Sequence, residues 1–234
     1  MKTIGVLGGM SWESTLTYYR LLNEGVNRRL GGFHSASIYL LSVDFAEIET
    51  LQRSGDWDEA GRLLAQAARQ IQAGGADLLL IATNTMHRVA AQIEAAIEIP
   101  LLHIADATGE RLKMDDVSRV GLLGTRFTME QAFYRDRLRD NFGIEVVVPD
   151  ESARQAVHDI IFQELVHGTI ADTSRARFLR IIDGLRTQGA EGVILGCTEI
   201  AMLVQQTHTA VPLYDTTELH VQAALNRALE GVPT

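Results

Sequence analysis

The only cysteine of this 234-residue sequence, Cys197, lies in the stretch VILGCTEIA. This stretch begins as a run typical of a buried strand and continues as a run typical of a helix. A thiol at such a junction meets the free N–H groups and the positive dipole end of the helix, which lower a cysteine pKa. Because the polar residues Thr198 and Glu199 follow directly, we interpret Cys197 as a thiolate base or nucleophile rather than a buried hydrophobic side chain.

A second polar cluster occurs in IATNTMH, where Thr83, Asn84 and Thr85 follow another apolar run. Asn84 or Thr85 could cap the helix that is predicted to follow. Capping does not account for the whole cluster, so we expect it to contact a ligand. His87 is interpreted as a histidine on the helix surface, and His103, at a strand end, as a buried and hydrogen-bonded one.

The elements that carry these clusters alternate in type, since short apolar runs are separated by longer amphipathic runs. This alternation is typical of βα units that build a parallel sheet, so the sequence predicts an α/β fold. The predicted strands are Thr3–Leu7, Ser37–Val43, Asp77–Ile81, Leu101–Ile104, Arg119–Leu123, Glu145–Val148, Gly192–Leu195 and Leu213–Tyr214. The predicted helices are Trp12–Leu30, Asp56–Ala73, Met86–Ile97, Met129–Phe142, Ala153–Val166, Thr173–Thr187, Glu199–Gln206 and Leu219–Leu229.

A weak internal repeat relates the two halves of the chain. The aligned segments are IGVLGG (Ile4–Gly9) with VGLLGT (Val120–Thr125), GADLLLIATNTM (Gly75–Met86) with GAEGVILGCTEI (Gly189–Ile200), and IPLLHIAD (Ile99–Asp106) with VPLYDTTE (Val211–Glu218). The repeat predicts two similar four-stranded lobes, one of residues 1–98 plus 210–234 and one of residues 99–209. Ligands of open α/β sheets bind beyond the carboxyl ends of the strands, so we expect facing lobes to bring Thr83 and Cys197 to one cleft.

Composition and charge limit the kinds of molecule that this protein is expected to bind. A net charge of -9, with no basic cluster longer than Arg28-Arg29, argues against nucleic acid and anionic membranes. The start MKTIGVLGGM does not resemble a signal peptide, no apolar run approaches the roughly 20 residues of a membrane span, and one cysteine cannot form an internal disulfide. We therefore expect a cytoplasmic protein that binds a small molecule or a second copy of itself.

The spacing of the histidines and glycines argues against a metal site and a nucleotide site. The seven histidines show no metal-ligand pattern, so no metal is expected. The glycines of GVLGGMSWES do not form G-x-G-x-x-G and no Walker lysine follows, which argues against a nucleotide site. We interpret these glycines as allowing the first loop to approach a substrate closely.

Two proton-transferring groups on opposite faces of one carbon are what stereochemical inversion requires. At these residues the sequence resembles the aspartate/glutamate racemase family, closest to its L-aspartate/glutamate-specific branch. The matching motifs are IGVLGGMSWEST, ATNTMH, LLGTRFTME and LGCTEI, and the resemblance covers nearly the whole chain. It implies two flavodoxin-like lobes, each a four-stranded parallel sheet flanked by helices, related by pseudo-symmetry with the active site between them. It also implies a homodimeric enzyme without a cofactor, acting on a small acidic amino acid.

The resemblance also implies roles for single residues. It assigns Cys197 to the proton of the L substrate and Thr83, where the family normally has cysteine, to the opposite face. An alkanol has a pKa roughly 7 above that of a thiol, so Thr83 can give or relay a proton but is a poor base unless activated. Substrate contacts are implied at Met10, Ser11, Gln52, Arg53, Asn84, Thr85, Thr125, Thr128, Thr198 and Glu199.

Several of these positions carry an additional interpretation. Gln52 is expected near the start of a helix, and Arg53 is expected to hold the distal carboxylate of the substrate in bidentate fashion. Glu199 either orients a neighbour or favours the first helical turn. Two other functions stay open: a single-cysteine decarboxylase or isomerase of small dicarboxylic acids, and an amino-acid-binding module whose catalysis has decayed.

Overall fold

The computed structural model describes residues 1–232, which form two compact units: residues 1–104 together with the residues from 220 onward, and residues 105–219. The strands are β1 (Ile4–Gly8), β2 (Ile38–Ser42), β3 (Leu78–Ile81), β4 (Arg119–Gly124), β5 (Glu145–Val147), β6 (Gly192–Gly196) and β7 (Leu213–Asp215). The α-helices are α1 (Trp12–Leu30), α2 (Phe45–Ser54), α3 (Trp57–Ala73), α4 (Ala90–Glu94), α5 (Ile104–Met114), α6 (Arg126–Glu130), α7 (Ala132–Phe142), α8 (Glu151–Gln163), α9 (Asp172–Thr187), α10 (Ile200–Leu203) and α11 (Thr216–Ala228). Short 3₁₀ turns occupy Thr85–Val89, Leu165–His167 and Gln206–His208.

Each unit contains one parallel sheet, which confirms the predicted α/β fold class. The sheet of the first unit has the strand order β2-β1-β3, and that of the second has the order β5-β4-β6-β7. The first three strands of each unit are therefore arranged in the same way. The register agrees as well, because Leu7 pairs with Ile81 and Leu123 pairs with Leu195, positions that the internal repeat aligns.

The fourth strand predicted for the first unit, Leu101–Ile104, is reduced to a single parallel bridge between Leu79 and Leu101. A longer strand would present the Leu102 carbonyl and the Ile104 amide to β3. Both groups are hydrogen-bonded to histidine side chains instead, and α5 begins at Ile104. The prediction of four strands therefore holds for the second sheet, whereas the first has three strands and a bridge.

The boundaries between the units differ from the expected ones. The chain passes from the first unit to the second after Ile104 and returns at His220, positions that lie inside α5 and α11. Strand β7 pairs with β6, so it belongs to the second unit rather than the first. No change of composition marks these points, because a boundary inside an amphipathic helix leaves the helical pattern unbroken.

Two helices were not predicted, and one predicted helix is divided. In α2 only Ile48 is fully buried, with Phe45 and Leu51 partly buried beside it, and the helix is limited by Asp44 as N-cap and Gly55 in the left-handed region. Helix α5 replaces the end of a predicted strand. The predicted helix Met129–Phe142 is interrupted at Gln131, whose backbone is extended, so that α6 and α7 form separately.

The sheet of the first unit is covered on both faces because alternate residues of a strand point to opposite sides. One face contributes Leu7, Leu79 and Ile81 to a cluster with Leu64 and Ile71 of α3. The other face packs Ile4, Val6, Leu78 and Leu80 against Tyr18 and Leu22 of α1 and Val221 and Leu225 of α11. In the second unit, every residue of β6 is buried, as expected for a parallel strand covered on both faces. Within residues 1–232, the helices are too short or too polar to cross a membrane.

Candidate active site

The first polar cluster follows β3, and side chains of the first unit hold its backbone in place. Ser14 on α1 donates a hydrogen bond from Oγ to the Ala82 carbonyl over 3.1 Å. The Thr83 carbonyl accepts a hydrogen bond from Nδ1 of His87 over 2.8 Å. The side chain of Thr83 remains partly exposed. The cluster thus offers one hydroxyl on a backbone that two buried side chains fix.

Asn84 and Thr85 are buried, and they lead into a 3₁₀ turn rather than the α-helix predicted over Met86–Ile97. Helix α4 follows this turn and is only five residues long. Gln52 lies in the last turn of α2, not near a helix start, and its Nε2 donates to Sδ of Met86 over 2.9 Å. The structure therefore brings Gln52 against the first cluster.

Gly8, which ends β1, and Gly9, which follows it, fit tightly against the rest of the protein. A Cβ on Gly8 would lie 2.5 Å from Cγ2 of Thr15, and Gly9 has a φ of +93° with a Cβ position blocked by the backbone of Val43. The Thr15 hydroxyl also accepts the Gly9 N–H over 2.8 Å. Packing against Thr15 and Val43 is therefore a sufficient reason for glycine at these two positions.

The remaining predicted contacts of the first unit lie in different environments. Met10 is buried, and Ser11 is the N-cap of α1, where its Oγ accepts the Ser14 N–H over 3.2 Å. Arg53 is exposed in the last turn of α2. Its guanidinium is therefore free of the desolvation cost that a buried charge carries.

The second cluster follows β6 and is built around a buried carboxylate. The thiol of Cys197 donates to Oε2 of Glu199 over 2.8 Å, and the hydroxyl of Thr198 donates to the same oxygen over 2.8 Å. Glu199 is only 7% exposed, whereas Cys197 retains partial exposure. Two donors on one carboxylate oxygen hold the thiol in a fixed direction.

This environment raises the pKa of the Cys197 thiol well above its usual value. Burial is the largest cause, followed by the negative charge of Glu199 and its hydrogen bond, with a smaller effect from Asp215. The expectation of a lowered pKa was wrong, since α10 begins only at Ile200 and is four residues long. Cys197 is therefore a neutral thiol in the free protein, and its thiolate, once formed, is a strong base.

Two threonines stand at the end of the neighbouring strand β4. The hydroxyls of Thr125 and Thr128 lie 3.2 Å apart, and Thr128 is fully buried. Gly124 and Gly196 pair in register, so Thr125 follows one strand end as Cys197 follows the adjacent one. A Cβ on Gly124 would lie 3.1 Å from the Gly196 carbonyl oxygen, and one on Gly196 would lie 3.0 Å from the Leu123 carbonyl oxygen, so both positions leave little room for a side chain.

Asp215 is a residue of this site that the sequence analysis missed. It ends β7 and caps α11, accepting the N–H groups of Thr217 over 2.8 Å and Glu218 over 3.3 Å. Burial raises its pKa to about 6, and its charge contributes to the raised pKa of Cys197. The internal repeat contained a signal for it, because the alignment pairs Asp215 with His103, each just before a helix.

The two clusters thus offer different chemistry. The second unit supplies a thiol hydrogen-bonded to the Glu199 carboxylate, which can accept its proton, and the first supplies the Thr83 hydroxyl beside a histidine. His87, predicted to lie on the helix surface, is buried with 3% exposure, and His103 is buried as expected. Within the described residues, histidine, cysteine, aspartate and glutamate side chains do not gather in a group of three or more suited to a metal ion.

This chain resembles known proteins in both sequence and fold. Residues 7–224 match the Asp/Glu/hydantoin racemase family. A proposed Asp/Glu racemase from Yersinia pestis is 53% identical, with 98% of this chain and 100% of that chain covered and a TM-score of 0.93. An aspartate racemase homologue from Pyrococcus horikoshii is 33% identical, with coverage of 97% and 99% and a TM-score of 0.87.

A third similar protein is the broad specificity amino-acid racemase RacX of Bacillus subtilis. It is 24% identical over 217 residues, which are 91% of this chain and 92% of that protein. The match to the family covers both units and both polar clusters. The chain therefore belongs to the Asp/Glu/hydantoin racemase family, whose members are isomerases.

Proposed function

We propose that this protein is a racemase of acidic amino acids that interconverts L- and D-aspartate, glutamate or both without a cofactor. The observation that carries the proposal is the thiol of Cys197 held on the Glu199 carboxylate at 2.8 Å, within a chain of a racemase family. The names of the Yersinia and Pyrococcus relatives support an acidic substrate. Met10, Ser11, Gln52, Arg53, Asn84, Thr85, Thr125, Thr128 and Thr198 remain the proposed substrate contacts, with Arg53 on the distal carboxylate.

In the proposed mechanism, Cys197 acts on the L substrate. Its proton passes to Glu199, and the thiolate then removes the proton from the α-carbon and becomes a thiol again. The raised pKa of Cys197 suits this step, because a thiolate next to carboxylates has a high affinity for protons. Helix N-termini and hydroxyl donors aimed at the α-carboxylate would stabilise the carbanion.

Thr83 completes the inversion in this scheme. Its hydroxyl gives a proton to the opposite face of the α-carbon and recovers one from water. The hydroxide that this leaves is neutralised by the proton that Glu199 took from Cys197, so both units return to their starting state. The reverse reaction begins with Thr83 as the base, a role for which an alkanol is poorly suited without activation. Since enantiomers have equal free energies, kcat/KM must be equal in the two directions, so any preference for the L form appears in kcat and KM together.

The test is incubation of L-aspartate and of L-glutamate with the protein in heavy water. We expect deuterium at the α-carbon and formation of the D enantiomer, measured by NMR and by chiral chromatography. Thr83→Ala should keep the exchange from the L side but stop inversion, and Thr83→Cys should increase turnover of the D substrate. Thr50→Ala, an exposed threonine of the same unit, is the matched control and should behave as wild type.

The outcome that would overturn the proposal is neither exchange nor inversion with either amino acid. Release of CO₂ from a small dicarboxylic acid, or conversion of maleate, would instead support the decarboxylase or isomerase alternative, which the single thiol favours. A decayed binding module would be stabilised by aspartate equally in wild type and Cys197→Ala, with no turnover in either.

A further inference from the structure

Three buried histidines of the first unit lie together behind the first polar cluster. His87, His103 and His220 are 3%, 5% and 0% exposed. The ring of His87 lies 4.5 Å from that of His103 and 5.7 Å from that of His220, measured between ring centroids, in edge-on arrangements. We call these three residues the histidine cluster.

The hydrogen bonds of His87 determine its protonation. Nδ1 lies 2.8 Å from the Thr83 carbonyl oxygen, which can only accept, so Nδ1 carries the proton. Nε2 accepts the Ile104 N–H over 3.2 Å, so it carries none. A protonated His87 would direct a second N–H against that of Ile104. His87 is therefore a neutral imidazole with both nitrogens in use.

His220 is held in the same neutral form with the opposite tautomer. Its Nε2 donates to the Leu102 carbonyl over 2.7 Å, and its Nδ1 accepts from the hydroxyl of Tyr18 over 2.8 Å. Burial lowers the pKa of His220 to about 4. His220 therefore presents an uncharged ring to His87.

The repeat shows that this arrangement is not a requirement of the fold. The alignment of Met86 with Ile200 places His87 opposite Ala201, so the second unit has no imidazole at this position. In the second unit, β7 pairs with β6 up to Asp215 instead of ending after one bridge. The histidine cluster thus belongs to the Thr83 side alone.

We propose that His87 is a positioning residue for Thr83: its neutral imidazole joins the Thr83 carbonyl to the first amide of α5 and thereby sets the direction of the Thr83 hydroxyl. This proposal rests on the proposed racemase function. A displacement of about 1 Å in a reacting group can cost on the order of 10²-fold in rate, so removal of this link should affect the step that Thr83 performs. The step assigned to Cys197 should be spared.

The first experiment separates exchange from inversion in heavy water. His87→Leu should retain exchange from the L side within about twofold of wild type while inversion falls at least tenfold, in line with misplacement of a reacting group. His87→Gln should recover most of the inversion, because its amide can donate to Thr83 and accept from Ile104. Ile71→Val, which removes one buried methylene from the same unit, should change neither rate and controls for lost stability.

A second measurement does not depend on activity. Nitrogen-15 NMR of labelled histidine should show His87 with the proton on Nδ1 and uncharged between pH 6 and pH 8. An Nε2–H tautomer or an imidazolium at pH 7 would overturn the proposal, as would equal losses of exchange and inversion in His87→Leu without recovery in His87→Gln. If wild type neither exchanges nor inverts, the racemase function fails while the NMR result still decides the hydrogen bonding of His87.

Discussion

The two polar clusters occupy equivalent strand ends of the two units but differ in the side chains that surround Thr83 and Cys197, the proposed reactive residues. Near Thr83, Ser14 and His87 hold the backbone carbonyls of Ala82 and Thr83. Around Cys197, the carboxylate of Glu199 holds the reactive side chain itself. The repeat thus preserves a hydroxyl or thiol side chain at each strand end, while the polar groups beside it differ between the two units.

The largest expected effect comes from removing this difference in chemistry. Cys197→Ser gives both clusters a hydroxyl, and the rate of exchange from the L substrate should fall about 10³-fold or more because general-base catalysis is lost. Exchange followed by NMR and thermal unfolding of the variant provide the measurement and its folding control. A rate within tenfold of wild type would show that Cys197 is not the base.

The histidine cluster should make the first unit sensitive to acid. Because the pKa of His220 is lowered from 6.5 to about 4, the unfolded chain binds more protons between these values. The stability that neutral His220 contributes is fully present above pH 6.5 and is lost as the pH falls to about 4. This loss of unfolding free energy is at most about 3 kcal/mol. In urea unfolding, His220→Gln should lose less unfolding free energy over this pH range than wild type does. His34→Gln changes an exposed histidine and should lose as much as wild type.

Asp215 should give the second unit the opposite dependence. Its pKa is raised from 3.8 to about 6, so its contribution is present below pH 3.8 and is lost as the pH rises through about 6. The unfolding free energy of Asp215→Asn should therefore exceed that of wild type by about 2 kcal/mol at pH 7.5 and by little at pH 4, as measured by urea unfolding. The exposed residue Asp183 provides an Asp→Asn control. Equal gains at both pH values would contradict the assignment.

A further difference between the units concerns the glycines that the repeat aligns in β1 and β4. A Cβ on Gly5 would lie 2.5 Å from Cγ2 of Ile71 and 2.9 Å from the Leu78 carbonyl oxygen, whereas one on Gly121 would meet only side chains, the nearest atom being Cδ1 of Leu185 at 2.8 Å. Gly5→Ala should cost about 2–3 kcal/mol of unfolding free energy and Gly121→Ala about 1 kcal/mol.

The control for this pair is Gly184→Ala in α9, where a Cβ meets nothing within 4 Å. Alanine is favoured over glycine in a helix interior, so this variant should gain up to about 1 kcal/mol in thermal or urea unfolding. A larger loss for Gly121→Ala than for Gly5→Ala would reverse the expected difference between the two units.

Features determined by local pattern were predictable from the sequence. Helix α1 has the predicted bounds because its amphipathic run lies between the N-cap Ser11 and the terminal Gly31. The strand ends that carry Thr83 and Cys197 were identified because β3 and β6 are short apolar runs followed by polar residues.

Features determined by distant or side-chain contacts were not predictable. The fourth strand of the first unit is cut short by His220, which is 118 residues away from Leu102 in sequence. The raised pKa of Cys197 depends on the direction in which Glu199 points, and strand ends give no information about that direction. Around the two proposed reactive residues, the sequence indicated neither Asp215, whose charge contributes to the raised pKa of Cys197, nor the burial of His87.

The division of the chain also has a consequence for synthesis on the ribosome. Ile4 and Val6 pack against Val221 and Leu225, and Gly25 lies where any Cβ would collide with Leu225. The second unit is continuous and has all of its residues before these last ones are made. Although domains generally fold in order from the N-terminus, the first unit here can complete its core only after nearly the whole chain has been translated.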